Sequence, residues 1–444
     1  MFKNKKSIAL LALIGIPILA VLLYQIPFVN ERLSWRIDNL RTRIVYAINP
    51  PDEVVFVPTQ PVQDVPTLTA SPAPTVTPTL PGPTETLAPT FTPTVTPTPL
   101  PGYVSLPGVK YVDQHNRWNY CGPANMAMAL NFWGWPGDRD DVARVVKPGF
   151  NDLSVGFIER GKLDKNVMPY EMVNFVNEQT DFRALQRYGG DIQLLKRLIA
   201  AGFPVMIEKG YYERDYTGKI SWLGHYLFVT GYDESQGGFI VQDAYLKPGK
   251  NLLSKYDVFI EGWRGFNYLF IIVYPPEREA EVFTLLGDWA DNDWANRNAL
   301  AIAEAEIQTL AGNDLFFAWF NKGTSHVQLQ QYDLAGQAYD TAFRIYNDLG
   351  GDDKQRPYRI MWYQTGPYFA YFYTGRYQDV INLANATFKT IDKPTLEESL
   401  YWRAMASYAI GDYQSAFADM REAVYLNPNF GPGLARMNEW GLTP

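Results

Sequence analysis

The 444-residue chain has one cysteine, Cys121, and three histidines, His115, His225 and His326. The thiol lies in Asn119-Tyr120-Cys121-Gly122-Pro123-Ala124. Beyond it Ala124, Met128 and Leu130-Asn131-Phe132 recur at helical spacing as far as Gly134. Pro123 suits a first helical turn, where its missing N–H leaves no bond unmade. Cys121 is therefore expected at a helix N-terminus, where the dipole favours thiolate, the nucleophilic form. A second group of residues lies about a hundred positions on. Gly224 to Tyr232 reads as a strand, Asp233-Glu234-Ser235-Gln236-Gly237 as a turn, and Gly238 to Asp243 as the returning strand. Pairing Tyr232 with Gly238 sets Leu227 opposite Asp243 and makes His225 and Asp243 diagonal neighbours on one face. A carboxylate beside an imidazole holds its tautomer and stabilises its charged form. A thiol, an imidazole base and an orienting carboxylate make a nucleophilic site when they converge. The plain alternative is a small buried Cys and a satisfied strand His, each common in cores.

Other chemistry is poorly served. One Cys forms no intrachain disulfide, and one Cys with three dispersed His lacks the spacing of a structural metal site, so neither metal nor cofactor is expected. The net charge of −8, with no basic run interleaved with aromatics in the soluble part, argues against a nucleic-acid partner. Hydrophobic residues make up 47% and charged residues 19%, the balance of a folded protein, and the length allows two or three domains.

The elements that must position the site follow from pattern. Asp191–Ala201 reads as a helix closed by Gly202, and Pro204–Glu208 as a strand. Ser254–Arg264 reads as a helix and Asn267–Tyr274 as a last buried strand. Gln114 with Cys121-Gly122-Pro123-Ala124, then Gly224-His225-Tyr226 with Gly231-Tyr232-Asp233, then Asp243, resemble the peptidase C39-like family of papain-like cysteine peptidases. The resemblance covers roughly Leu106–Tyr274. It implies an α+β papain-like domain with Cys121 as nucleophile, His225 as general base and acid, and Asp243 as the group orienting His225. It also implies an oxyanion hole made by Gln114 and the Cys121 backbone N–H. Gln114 stands one residue further from the Cys than is usual in the family, which leaves His115 and Asn116 as rival donors. Characterised members of the wider family trim leader peptides inside exporters. No transporter segments and no Walker A pattern occur here, so that role does not carry over.

From about Glu281 the chain reads as helical to its end. Trp319, Gly323, Tyr332, Ala335, Tyr339 and Ala342 follow tetratricopeptide spacing, and Gly411-Asp412-Tyr413 with Ala416, Met420, Ala423 and Pro428 follows it again. Tyr371 with Gly375-Arg376-Tyr377 marks a degenerate unit between them, and Asp293–Leu310 a half-repeat before them. Such arrays present concave protein-binding surfaces. The alternative is a helical platform packed on the domain before it.

The N-terminal end reads differently. Lys3, Lys5 and Lys6 precede Ser7–Tyr24, which has no charged residue and, with its flank to Val29, is long enough for a membrane helix of roughly 20 residues. No small-residue cleavage site follows, so an uncleaved anchor with a cytoplasmic N-terminus is expected, which puts the folded domains outside the cell membrane. Leu33, Ile37, Leu40 and Ile44, with Arg32, Arg36, Arg41 and Arg43, suggest an amphipathic helix on lipid headgroups. Asn49–Gly102 repeats Pro-Thr and has no Lys or Arg, as in an extended, solvated stalk.

The expected architecture is an α+β papain-like domain and an all-α tetratricopeptide-like array behind an N-terminal transmembrane helix and a disordered Pro/Thr stalk. Its divisions are an anchor at 1–30, a juxtamembrane helix at 31–48, a stalk at 49–102, the peptidase-like domain at 103–276 and repeats at 281–444. The expected function is a membrane-anchored exocytoplasmic thiol hydrolase acting on a peptide or protein through a thioester. Partners would be a protein on the repeats and the membrane on the N-terminal helix. Amidase or acyl-transfer chemistry would use the same residues, and a non-catalytic adaptor would use the same surfaces.

Overall fold

A computed structural model describes residues 27–48, 55–59, 99–164, 166–214, 220–349, 356–391 and 395–443, with short pieces between 15 and 24. The anchor expected at 1–30 falls largely outside them. Among the described residues no helix is long and apolar enough to cross a membrane. The stretch expected to be amphipathic forms helix α1, Pro27–Ile48, on which Leu33, Ile37, Leu40 and Ile44 are all exposed.

The middle of the chain is built on a seven-stranded antiparallel sheet. Its strands are β1 (Tyr103–Ser105), β2 (Arg183–Arg187), β3 (Val205–Arg214), β4 (Ile220–Asp233), β5 (Gly238–Gln242), β6 (Leu252–Lys255) and β7 (Phe270–Tyr274). The order is β2-β7-β3-β4-β5-β6, with β1 pairing the end of β4. All of Phe270-Ile271-Ile272-Val273-Tyr274 is buried, as the continuous apolar run requires of a strand covered on both faces. Alternation sorts the side chains into two cores. Met206, Phe228, Ile271 and Val273 pack with helix α2, Cys121–Phe132. Val205, Ile207, Leu227, Val229 and Ile272 pack with Leu194, Leu195 and Leu198 of a helix at Ile192–Ala200 and with Phe259 and Trp263 of one at Tyr256–Arg264. The Ile192–Ala200 helix starts where the sequence implies: the Asp191 side chain accepts from Leu194 N–H at 2.7 Å, a cap worth about 1 kcal/mol.

The hairpin differs from expectation. Tyr232 pairs with Phe239 and Asp233 with Gly238, one residue tighter than predicted. The Asp233 carboxylate accepts from Ser235 N–H (3.0 Å) and Ser235 Oγ–H (2.6 Å), closing the turn inside the strand end. An irregularity between Val229 and Gly231 then absorbs one residue, and the ladder ends on Phe228 opposite Gln242. The extra residue restores the register needed to set Asp243 beside His225.

The helical array comprises Asn292–Ile307, Gly312–Gln328, Tyr332–Asp348, Gly366–Tyr373, Tyr377–Lys389, Glu397–Ala409, Tyr413–Leu426 and Gly431–Glu439. It packs closely on the sheet domain. Trp222 of β4 stacks on Phe266 at 5.4 Å and lies 5.5 Å from Phe317 and 5.8 Å from Tyr363 of the array. Arg264 pairs with Glu306 at 2.8 Å, and Asn321 Nδ2 donates to Arg264 O at 2.8 Å.

A correction concerns the stalk. Val55–Thr59 is not solvated polymer: Phe56 is only 6% exposed, in one apolar cluster with Phe343 and Tyr371 of the array. Burying a Phe side chain is worth about 1.5–3 kcal/mol, while loop-closure cost grows only slowly with loop length. The Pro-Thr composition conceals the run Val54-Val55-Phe56-Val57, which has apolar surface to bury. The remainder of 49–98 lies outside the described residues.

Candidate active site

The polypeptide turns into α2 at Tyr120, and Cys121 is its first residue. The first amides of a helix have no intrahelical acceptor and can serve a ligand. Here the backbone N–H groups of Gly122 and of Tyr226 on β4 donate to the Cys121 sulfur, and His225 bonds it as well. Asn125, one turn along α2 and fully buried, ties the two elements together. Its Nδ2 donates to Cys121 O at 2.8 Å and to Tyr226 O at 3.0 Å. Gly122 is tightly enclosed: a Cβ there would lie 3.3 Å from both Met172 Sδ and Val167 Cβ.

His225 is buried, and its Nε2 lies 3.0 Å from Asp243 Oδ1. That leaves Nδ1 as the ring nitrogen for Cys121. Asp243 Oδ1 also accepts from Tyr245 N–H (2.8 Å) and Leu246 N–H (3.1 Å). Burial pushes this carboxyl up, but the His225 charge and these donors outweigh it and bring it to about 2. Burial likewise opposes charge on His225, yet Asp243 and Cys121 together raise it to about 10. Burial pushes the Cys121 thiol up, but the His225 bond and charge, with the two amides, bring it below its ordinary value. The three groups therefore shift one another towards the charged forms, thiolate, imidazolium and carboxylate.

Gln114 is anchored through its backbone. Its backbone N–H donates to Ala244 O at 2.8 Å, next to Asp243, and its carbonyl accepts from Arg117 N–H at 3.1 Å. Its Oε1 is buried without a hydrogen-bond partner among the described residues. Arg139 clasps the residues on either side, with Nη1 2.9 Å from Asp113 Oδ1 and Nη2 3.1 Å from His115 O. The rival donors are placed otherwise. His115 lies 2.9 Å from Tyr245 O and 3.3 Å from Asp113, and Asn116 is exposed with φ 63°. Asp233, in the hairpin turn, spends its carboxylate on Ser235 and Gln236.

Two further groups at the site escaped the sequence reading. Glu208 of β3 is buried beside Tyr226, and burial with the nearby Cys121 charge holds its carboxyl well above the ordinary range. Tyr226 Oη donates to Val167 O at 2.9 Å, and its bond with the Glu208 carboxyl only partly offsets the upward push of burial. A charged residue type inside Val205-Met206-Ile207-Glu208 was the available signal. The other group is Tyr363, from the helical array. Its phenol oxygen accepts the Gly224 N–H, next to His225, and a Cβ on Gly224 would fall 2.7 Å from its ring. No local pattern announces a residue contributed across a domain boundary. Lys209 and Tyr211, with Trp222, Glu261, Asp314 and Phe317, line a cavity of about 280 Å³ at that same boundary.

Asp243→Asn should remove the charge that holds His225 protonated, so thiol reactivity near pH 6 should fall at least about tenfold. Asp233→Asn should leave it unchanged. Alkylation kinetics of both variants check this, and equal losses would mean that Asp243 does not orient His225.

Comparison with known proteins finds a family match for each of the two folded regions. Residues 107–269 match the model of the Peptidase_C39 like family, and residues 318–349 and 397–430 match that of the tetratricopeptide repeat. The chain thus carries a C39-like peptidase domain followed by tetratricopeptide repeats. Among solved structures it is similar to a chain described as a C39-like peptidase from Bacillus anthracis. Identity is 17% and the TM-score 0.30, over 38% of this chain and 96% of that one. It is also similar to the peptidase domain of Streptococcus ComA, a bi-functional ABC transporter involved in a quorum-sensing pathway. There identity is 16% and the TM-score 0.26, over 39% of this chain and 98% of that one. No curated protein matches it.

Proposed function

We propose that the protein is a thiol hydrolase that cleaves a peptide or related amide through a Cys121 thioester. One observation carries this reading: His225 is bonded at once to Asp243, at 3.0 Å, and to a Cys121 sulfur seated at a helix N-terminus. The Cys121 thiolate adds to the substrate carbonyl, and the oxygen takes the negative charge between the Cys121 N–H and Gln114. As the C–N bond breaks, the His225 imidazolium gives its proton to the departing amine. His225, now neutral, takes a proton from water as that water attacks the thioester. Hydroxide adds, the C–S bond breaks, and acid and thiolate–imidazolium are restored. An amine in place of water would turn the same sequence into acyl transfer. Asp243 keeps the imidazole oriented throughout.

The finer parts of the reading concern place and partners. The uncharged stretch Ser7–Tyr24 after Lys3, Lys5 and Lys6 supports a single-pass anchor with the folded domains outside the cell membrane. The exposed row Leu33, Ile37, Leu40 and Ile44 on α1 supports a helix lying on the lipid surface. The repeats support a protein partner, and the net charge of −8 speaks against nucleic acid.

The test uses the full chain in detergent with a diverse peptide library read by mass spectrometry. Cleavage is expected with the wild type and should be absent in Cys121→Ala. A library left intact while Cys121 alkylates rapidly would refute hydrolysis of peptides and favour the adaptor.

A further inference from the structure

We propose that the helical array carries a pocket for an extended apolar–Phe–x–Pro–x segment, whose resident ligand is the chain's own Val55–Thr59. The pocket lies among Tyr332–Asp348, Gly366–Tyr373 and Tyr377–Lys389. The Phe56 ring meets Phe343 edge-on at 5.0 Å and Tyr371 at 5.9 Å. Thr59 N–H donates to Asp379 Oδ1 at 3.0 Å.

The pocket is rigid by its own bonds. Asp379 is fully buried, and its Oδ2 is held by Arg376 at 2.7 Å. Arg376 also grips Asp340, at 2.7 and 2.9 Å, and lies 4.2 Å over the Tyr371 ring. Tyr371 Oη donates to Asp340 at 2.9 Å. This network orients both the ring that receives Phe56 and the carboxylate oxygen that receives a backbone amide. Recognition is thus one aromatic side chain and one main-chain N–H three residues on. Pro58 favours the extended backbone between them. Val57 is 65% exposed and is not read.

The docked segment sets where the folded domains sit. Helix α1 ends at Ile48, and residues 49–54 reach at most about 3.3–3.6 Å each, so Val55 lies within roughly 25 Å of α1. A free stalk over 49–102 would let the domains move out to about 150 Å at 3.1 Å per residue. Residues 60–98 connect Thr59 back to the start of the sheet domain, and their length permits this return. A partner presenting the same short chemistry competes for the pocket and, on winning it, frees the stalk. None of this depends on what Cys121 does.

The test combines hydrogen exchange with peptide binding on the full chain in detergent. The amides of Val55, Phe56, Val57 and Thr59 should be protected in the wild type and exchange as open chain in Phe56→Asp. Thr59→Pro, which removes the amide donor to Asp379 and leaves the array untouched, should lower protection at 55–57. A labelled peptide of residues 52–61 should bind Phe56→Asp at least about tenfold more tightly than the wild type. There the pocket is filled by a tethered segment at an effective concentration on the order of millimolar. The same peptide carrying Phe56→Ala should not bind. Cys121 alkylation should be equal in wild type and Phe56→Asp, which shows that the fold is intact. An unprotected segment in the wild type, equal peptide binding to both chains, or none to Phe56→Asp overturns the proposal. So does protection that vanishes on hundredfold dilution, because the segment would then come from a second copy.

Discussion

Iodoacetamide should alkylate Cys121 rapidly at pH 6, and His225→Ala should slow that reaction by about a hundredfold. The sign follows from opposed shifts. The Cys121 thiol lies below its ordinary value, so thiolate forms on the acid side of where a free cysteine ionises. His225 lies near 10, so the imidazolium persists well above neutrality. Between the two the ion pair dominates, and the alkylation rate should be nearly flat with pH. Removing the imidazole takes away the bond and the charge that lower the thiol. Burial, the largest single influence on Cys121, then acts with less opposition and raises it. At pH 6 a thiol returned to about 8.5 or above is well under one per cent ionised. Asn125 and the Gly122 and Tyr226 amides remain in the variant, so the sulfur stays in place and the loss reads ionisation rather than misfolding. A wild-type rate that climbs only above pH 8 would show an ordinary thiol and remove the basis of the catalytic reading.

Gln114→Ala should lower turnover by about a hundredfold to a thousandfold while leaving Cys121 alkylation unchanged. Attack on an amide carbonyl puts charge on its oxygen, and donors fixed beforehand stabilise that charge without reorganising. Alkylation builds no such oxygen, so a group that serves only the oxyanion separates the two assays. The Gln114 backbone is pinned to Ala244 O, beside the carboxylate that orients His225, and Arg139 braces the residues on either side. Asn116 is exposed in a left-handed conformation, and His115 is engaged with Asp113 and Tyr245. If Asn116→Ala separates the assays and Gln114→Ala does not, the donor is Asn116. Turnover unaffected by either change would leave the Cys121 N–H as the principal donor.

The tight turn in the hairpin shows how far local pattern carries. Strand, turn and strand are plain from apolar runs around Asp233–Gly237, but the register is not. The Asp233 side chain closes the turn one residue early, and the irregularity near Thr230 takes that residue back. The two differences cancel at His225. Nothing in the strand composition encodes such a bulge, because it arises where β1 packs against the same strand end: a Cβ on Gly231 would meet Val104 O at 2.4 Å.

What the sequence determined by itself is whatever depends on neighbours along the chain. Cys121 starts a helix because Gly122-Pro123 opens one. Asp191 caps the next because its carboxylate reaches Leu194 N–H. The 3.6-residue period of the C-terminal third makes paired helices. Only the tertiary structure decided the rest, since those contacts join residues far apart whose types are unremarkable where they stand. Asn125 braces α2 to β4. Glu208 has its carboxyl held well above the ordinary range by burial and the nearby Cys121. Tyr363 reaches the edge of the site from another domain, and Phe56 leaves a Pro-Thr tract because the repeats offer it Phe343 and Tyr371. Burial gives each of these its energetic weight, and burial belongs to the folded assembly rather than to any segment.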